Sequence, residues 1–150
     1  MGFLTGKTAI ITGAGRAVLK DGSCGSIGYG IATAYAKEGA NLVITGRNVK
    51  KLEAAKQELE SLYGIKVLTV QADVCAGGDN EATVANVVKQ AVDTFGGIQV
   101  LINNAQASAS GVPLAEHTTE QFDLAIYSGL YAAFYYMKAC YPYLAEDRKS

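Results

Sequence analysis

An α/β fold, built on a doubly wound parallel sheet with strands in the order 3-2-1-4, is what this sequence predicts, and three observations carry it. Apolar periodicity switches along the 150 residues between short β-branched runs and longer stripes of helical spacing, in the order β-α-β-α-β-α-β-α. The short runs are apolar on both faces, so helices must cover the sheet from two sides. A glycine-rich stretch stands between the first run and the first helical stripe. Right-handed crossovers between parallel strands then set the strand order.

Thr8 to Thr12 (TAIIT) is the first strand. After the glycine-rich stretch, Ile27 to Lys37 forms a helix that Gly39 closes. Asn41 to Thr45 (NLVIT) is the second strand, and Asn48 caps the next helix, in which Leu52, Ala55, Leu59 and Leu62 share one face. Gly64 ends that helix, and Lys66 to Gln71 (KVLTVQ) is the third strand. Val84, Val87, Val88, Ala91, Val92 and Phe95 make the stripe of a third helix, stopped by Gly96 and Gly97. Val100 to Asn103 (VLIN) is the fourth strand, and Thr118 with Gln121 forms a capping box for one long helix toward Leu144.

These elements describe one nucleotide-binding domain over residues 1–150, without internal repeat, low-complexity tract or linker. They also describe only the N-terminal part of such a sheet. The fourth strand would remain an exposed apolar edge. The last helix, with Ile126, Leu130, Tyr131, Phe134, Tyr135, Tyr136 and Met137, is apolar nearly all round and needs more chain or a partner against it.

Composition narrows the function. Hydrophobic residues are 49% and charged residues 18%, as in an ordinary globular domain. A net charge of −1 gives no bulk attraction for nucleic acid or anionic lipid, so any affinity for phosphate must be local. Cys24, Cys75 and Cys140 lie far apart and there is a single histidine, which argues against a disulfide framework or a metal site. The start (MGFLTGK) has no apolar signal core and no run is long enough to span a membrane, so a cytoplasmic protein is expected.

The turn after the first strand, Thr12 to Ala32, reads TGAGRAVLKDGSCGSIGYGIA. Glycines there let a backbone approach a pyrophosphate seated on the free amides of a helix N-terminus, the device of Rossmann-type folds. Gly13 and Gly28 are 15 positions apart, against 6 in the common Gly-x-x-x-Gly-x-Gly form, so this loop carries 9 extra residues. Ser26 takes the place of the middle glycine, and its hydroxyl and amide can still bond phosphate oxygens. Gly13, Ser26, Ile27 and Gly28 are therefore the candidate phosphate cradle.

Charge selects the cofactor. Where NAD-binding folds end the second strand on an acid that accepts from the ribose hydroxyls, this chain has Gly46 and Arg47. Arg47 can fork onto a 2′-phosphate that an acid would repel, and Arg16 in the glycine loop could close on the same group, so NADP is expected. Asp73 and Val74 follow the third strand where adenine would rest. Asn103, Asn104 and Ala105 leave the carboxyl end of the fourth strand, where open α/β sheets bind ligands; one Asn could tie strands while the other faces the nicotinamide ribose.

Taken together, TG-x-x-x with SIG, DV at 73–74 and NNA at 103–105 resemble the short-chain dehydrogenase/reductase family over the whole chain. Within it, SIGYGIA (26–32), AYAKEGANLV (34–43), TGRN (45–48), LINNAQASASG (101–111) and YSGLYAAFYYMKACYPYL (127–144) resemble bacterial 12α-hydroxysteroid dehydrogenases. The resemblance implies NADP-dependent interconversion of a bile-acid 12α-hydroxyl and ketone, a small-molecule substrate, and a homo-oligomer packed through the 119–144 helix. It implies that Gln106 to His117 passes beside the nicotinamide, with Ser108, Ser110 and His117 as polar candidates at the substrate entrance.

The departures are specific. The usual NNAG is NNAQ, with Gln106 last, and a helix position that usually holds an active-site Asn is Gly129. The family's Ser and Tyr-x-x-x-Lys would lie beyond Ser150, since no Tyr here has Lys four residues later. No catalytic residue is assigned, and the 150 residues are expected to hold NADP without turnover. A 3-oxoacyl or enoyl thioester reductase, and a non-catalytic nucleotide-binding fragment, are the rival readings.

Overall fold

A computed structural model describes residues 2–147. Strands β1 (Thr8–Thr12), β2 (Asn41–Gly46), β3 (Val67–Gln71) and β4 (Val100–Ile102) form one parallel sheet in the order β3-β2-β1-β4. Ile10 of β1 stands opposite Val43 of β2 on one side and Leu101 of β4 on the other. Four of the helices are α1 (Ile27–Lys37), α2 (Val49–Tyr63), α3 (Asn80–Phe95) and α4 (Thr119–Ile126); the last is α5 (Ala132–Asp147).

Alternation along the strands divides the core in two. Ala9, Ile11, Leu42, Ile44 and Val67 face α1 and α2, where Ala32, Ala36, Leu52, Ala55 and Leu59 meet them. Ile10, Val43 and Val70 face the other way, against Val84, Val87, Ala91, Tyr136 and Cys140 of α3 and α5. Both faces of β1 are therefore covered, and its two polar residues, Thr8 and Thr12, are buried with the rest of the strand. The caps form as the sequence predicts. Asn48 accepts from the Lys51 amide at 3.0 Å, and Thr118 and Gln121 exchange both bonds of the capping box.

Some local features differ from the sequence reading or add to it. Strand β4 ends at Ile102, so Asn103 already belongs to the exit loop, and β3 begins at Val67 rather than Lys66. The expected single long helix is interrupted: between α4 and α5 the chain makes a π-turn over Tyr127–Tyr131, in which hydrogen bonds reach one residue further than in an α-helix. The long glycine loop folds on itself as a small hairpin. Leu19 N–H donates to Ser23 C=O at 2.8 Å, Gly25 N–H to Ala17 C=O at 2.7 Å, and the Asp21 carboxylate closes the turn by accepting from Ser23. The extra residues thus leave the junction between β1 and α1 intact.

Among the described residues the sheet has two edges, β3, which pairs with β2, and β4, which pairs with β1. On the last helical stretch Ala132, Tyr136 and Cys140 are buried, while Leu130, Phe134, Met137 and Tyr141 are exposed. Among the described residues no helix is long and apolar enough to cross a membrane.

Candidate functional site

The carboxyl ends of the strands meet the start of α1 and the π-turn in one trough made of three adjoining clefts. The first, of about 260 Å³, is lined by Gly13, Gly15, Ser26, Arg47, Asn48 and Lys51. The second, of about 230 Å³, shares Gly13, Gly46 and Arg47 with it and adds Val74, Cys75, Asn104 and Ala105. The third continues from Val74, Asn104, Ala105 and Gln106 to Ser128 and Gly129 in the π-turn. The sheet topology alone brings these residues together, since β1 and β4 are neighbours 90 residues apart in sequence.

Backbone pressed on backbone makes the floor. Gly13 leaves β1 at φ 70°, where a Cβ would stand 3.0 Å from that of Ala105. At Gly28, the second residue of α1, a Cβ would lie 2.1 Å from the Gly13 carbonyl oxygen and 2.5 Å from Asn104 Nδ2. Only glycine allows that approach. Asn104 fastens the junction: its Nδ2 donates to the Thr12 and Gly13 carbonyls at 2.9 and 3.3 Å, while Thr12 Oγ1 accepts from the Asn104 and Ala105 amides at 3.0 and 2.9 Å. Of the two adjacent asparagines, Asn104 is the strand tie and Asn103 is the exposed one, lining the third cleft.

Helix α1 points its N-terminus at this floor. Ser26 caps it by accepting from the Tyr29 amide at 3.4 Å, and the amides of the first turn before it have no intrahelical partner. Ile27 is largely exposed at the same end. Free amides and the positive end of the helix dipole favour an anion here.

Cationic side chains cluster at one end. Arg47 and Lys51 both line the first cleft, and no carboxylate does. Arg16 is placed elsewhere: its guanidinium pairs with Glu58 on α2, which raises the Arg16 pKa and holds the Glu58 carboxyl below its usual range. Arg16 lines none of the three clefts; its backbone amide instead donates to Lys51 C=O at 2.8 Å, docking the glycine loop on the first turn of α2. Lys51, which the sequence reading passed over, therefore takes the position beside Arg47. The available signal was its place in the first turn of a helix that starts just beyond Arg47.

Asp73 does not line the trough either. Its carboxylate accepts from the Cys75 amide at 2.8 Å in an Asx turn, while Val74 is presented to the second and third clefts. Ser108, Ser110 and His117 lie outside all three.

Two titratable groups border the trough without serving as bases. Burial, and then Asp73, raises the Cys75 thiol, which keeps it protonated at neutral pH. Burial pushes the Tyr136 phenol up to about 12. Among the described residues no cluster of His, Cys, Asp and Glu could hold a metal ion. Free amides at one part of the trough and acid-free cations at another suit an elongated anionic molecule, and none of the residues lining the three clefts is a carboxylate or a histidine.

A family model described as short chain dehydrogenase matches residues 7–150. The chain is 60% identical over 150 residues to a 12alpha-hydroxysteroid dehydrogenase of a Clostridium species, covering all of this chain and 55% of that protein. Among solved structures, L-sorbose reductase of Gluconobacter frateurii complexed with NADPH and L-sorbose superposes with a TM-score of 0.82 at 30% identity, over 98% of this chain and 50% of that one. An alcohol dehydrogenase of the archaeon Thermococcus sibiricus complexed with 5-hydroxy-NADP gives 0.81 at 29% identity, over 93% of this chain and 54% of that one. The chain thus spans about half the length of these relatives.

Proposed function

Because the chain belongs to the short-chain dehydrogenase family, we propose that its trough holds NADP, and that the protein interconverts a bile-acid 12α-hydroxyl and ketone. The observation that carries the cofactor reading is the pairing of a side-chain-free cradle with an acid-free cationic cleft. A Cβ at Gly28 would collide with the Gly13 carbonyl oxygen at 2.1 Å, so the α1 N-terminus sits directly on the β1 turn, and Arg47 and Lys51 line the cleft that Gly13 and Ser26 share, with no carboxylate among its lining. Those features fit a pyrophosphate and a 2′-phosphate respectively. Identity of 60% over 150 residues to the clostridial enzyme supports the steroid substrate class.

NADP supplies the acceptor or donor of hydride when bound. In this reading Gly13, Ser26, Ile27 and Gly28 hold the pyrophosphate, Arg47 and Lys51 hold the 2′-phosphate, and Val74 with the Asp73 backbone flanks the adenine. Asn103 and Ala105 stand beside the nicotinamide ribose, with Asn104 fixing them. The proton-transferring Ser and Tyr-x-x-x-Lys belong to residues outside this chain, and the exposed apolar face of Leu130, Phe134, Met137 and Tyr141 packs against further protein.

The test is direct. These residues should bind NADPH at least tenfold more tightly than NADH in a fluorescence titration, and a protein that also carries the Ser and Tyr-x-x-x-Lys segment should reduce a 12-oxo bile acid at C12. NADPH-dependent reduction of an acyl thioester with no turnover of the bile acid would overturn the steroid assignment while leaving the cofactor in place. Lys51→Gln should weaken NADPH by about five- to tenfold, the range of one partly exposed charge-assisted bond, and leave NADH unchanged. An equal loss for both cofactors would remove Lys51 from the 2′-phosphate.

A further inference from the structure

A π-turn is a locally unfavourable way to run a helix and persists where its surroundings hold it. Here two buried side chains do so. Asn80, at the first position of α3 and 1% exposed, donates from Nδ2 to the Tyr127 carbonyl oxygen at 3.1 Å. Ser128, also 1% exposed, accepts from the Ala107 amide at 2.9 Å, and its own hydroxyl lies 2.7 Å from the Leu124 carbonyl oxygen.

The consequence follows from what lies next along the chain. Tyr127 C=O also closes the π-turn, accepting from the Ala132 amide, so a bond to Asn80 fixes where that turn sits in the helix. Ser128 then joins the turn to Ala107, two residues beyond Ala105, whose amide is bonded to Thr12 Oγ1 in the floor of the trough. Gly129, the middle of the turn, meets the Gln106 side chain: a Cβ there would be 3.6 Å from Gln106 Nε2, ordinary contact. Both residues line the third cleft, whereas the cationic cleft at the other end shares none of these contacts.

We propose that Asn80 is a positioning residue for the nicotinamide end of the trough, setting Gly129 and Gln106 through its hold on the Tyr127 carbonyl. The inference rests on the NADP reading. It distinguishes the two ends of the ligand: loss of Asn80 disturbs the third cleft and leaves the first alone.

The experiment compares NADPH with 2′,5′-ADP, which carries the adenine-end phosphates and no nicotinamide, in calorimetric titrations of the full chain. Asn80→Ala should weaken NADPH roughly tenfold and change 2′,5′-ADP by less than about twofold. Ser128→Ala, which keeps Asn80, should show the same selective loss and serves if the first variant does not fold. Equal losses for the two ligands, or none for either, would overturn the proposal by making Asn80 a purely structural residue. Failure of the unaltered chain to bind NADPH would instead overturn the cofactor reading, and this inference with it.

Discussion

Replacement of Arg47 by Asp is expected to weaken NADPH binding by about 100-fold or more, since it removes a charge-assisted fork worth roughly 1.5–3 kcal/mol and sets a like charge against the phosphate. NADH should be affected by less than about threefold, because a lone exposed charge contributes little where no phosphate faces it. The asymmetry follows from the lining of the first cleft. Arg47 and Lys51 face it without a carboxylate to neutralise them, while Arg16, the remaining arginine nearby, is committed to Glu58. Glu58→Gln gives the complementary measurement. Releasing Arg16 from its pair should leave NADPH affinity near the unaltered value if Arg47 and Lys51 suffice. Paired titrations of the Arg47 variant with both cofactors decide the assignment. Matched losses would place the phosphate elsewhere.

Where the chain's own periodicity dictates structure, the sequence was informative. Alternation in Thr8–Thr12 and Asn41–Gly46 distributes side chains to two dry faces, and such a strand has no other stable setting than the middle of a covered sheet. Glycine at 13 and 28 was legible for a related reason, because the need for it comes from backbone approach at a strand–helix junction and not from distant partners. The features that escaped depend on residues far apart. Arg16 has two possible destinations, and the choice is made by a carboxylate 42 positions later on another helix. The π-turn contains no residue that breaks a helix apart from Gly129; a buried Asn 47 positions earlier helps to hold it. The division of labour between Asn103 and Asn104 turned on where β4 stops, a boundary no local pattern marks. Lys51 stood in view, but a lysine in a helix's first turn reads as solvated until the glycine loop is seen docked on it.

Gly28→Ala provides the other large effect, and here two forces oppose each other. Alanine is the better helix former by about 1 kcal/mol, so in an unconstrained helix the substitution would stabilise. At this position the new methyl carbon would lie 2.1 Å from the Gly13 carbonyl oxygen and 2.5 Å from Asn104 Nδ2. Neither neighbour can yield cheaply: one is backbone in a left-handed turn at φ 70°, and the other is the side chain that ties β4 to β1. Helix α1 must then move off the sheet, opening contacts of Tyr29, Ala32 and Ala36 with the strands. Overpacking of that kind costs about 3 kcal/mol or more, which outweighs the propensity gain and lowers the melting temperature by roughly 6–12 °C in a domain of this size. NADPH binding should fall below detection, since the same movement carries the α1 amides away from the trough. Gly78→Ala is the control, because nothing lies within 4 Å of its Cβ and its φ is not positive, so it should melt and bind as the unaltered chain does. A Gly28→Ala protein that melted normally and kept its affinity would mean that α1 does not press on Gly13 as described, and the phosphate cradle would have to be sought at another junction of the sheet.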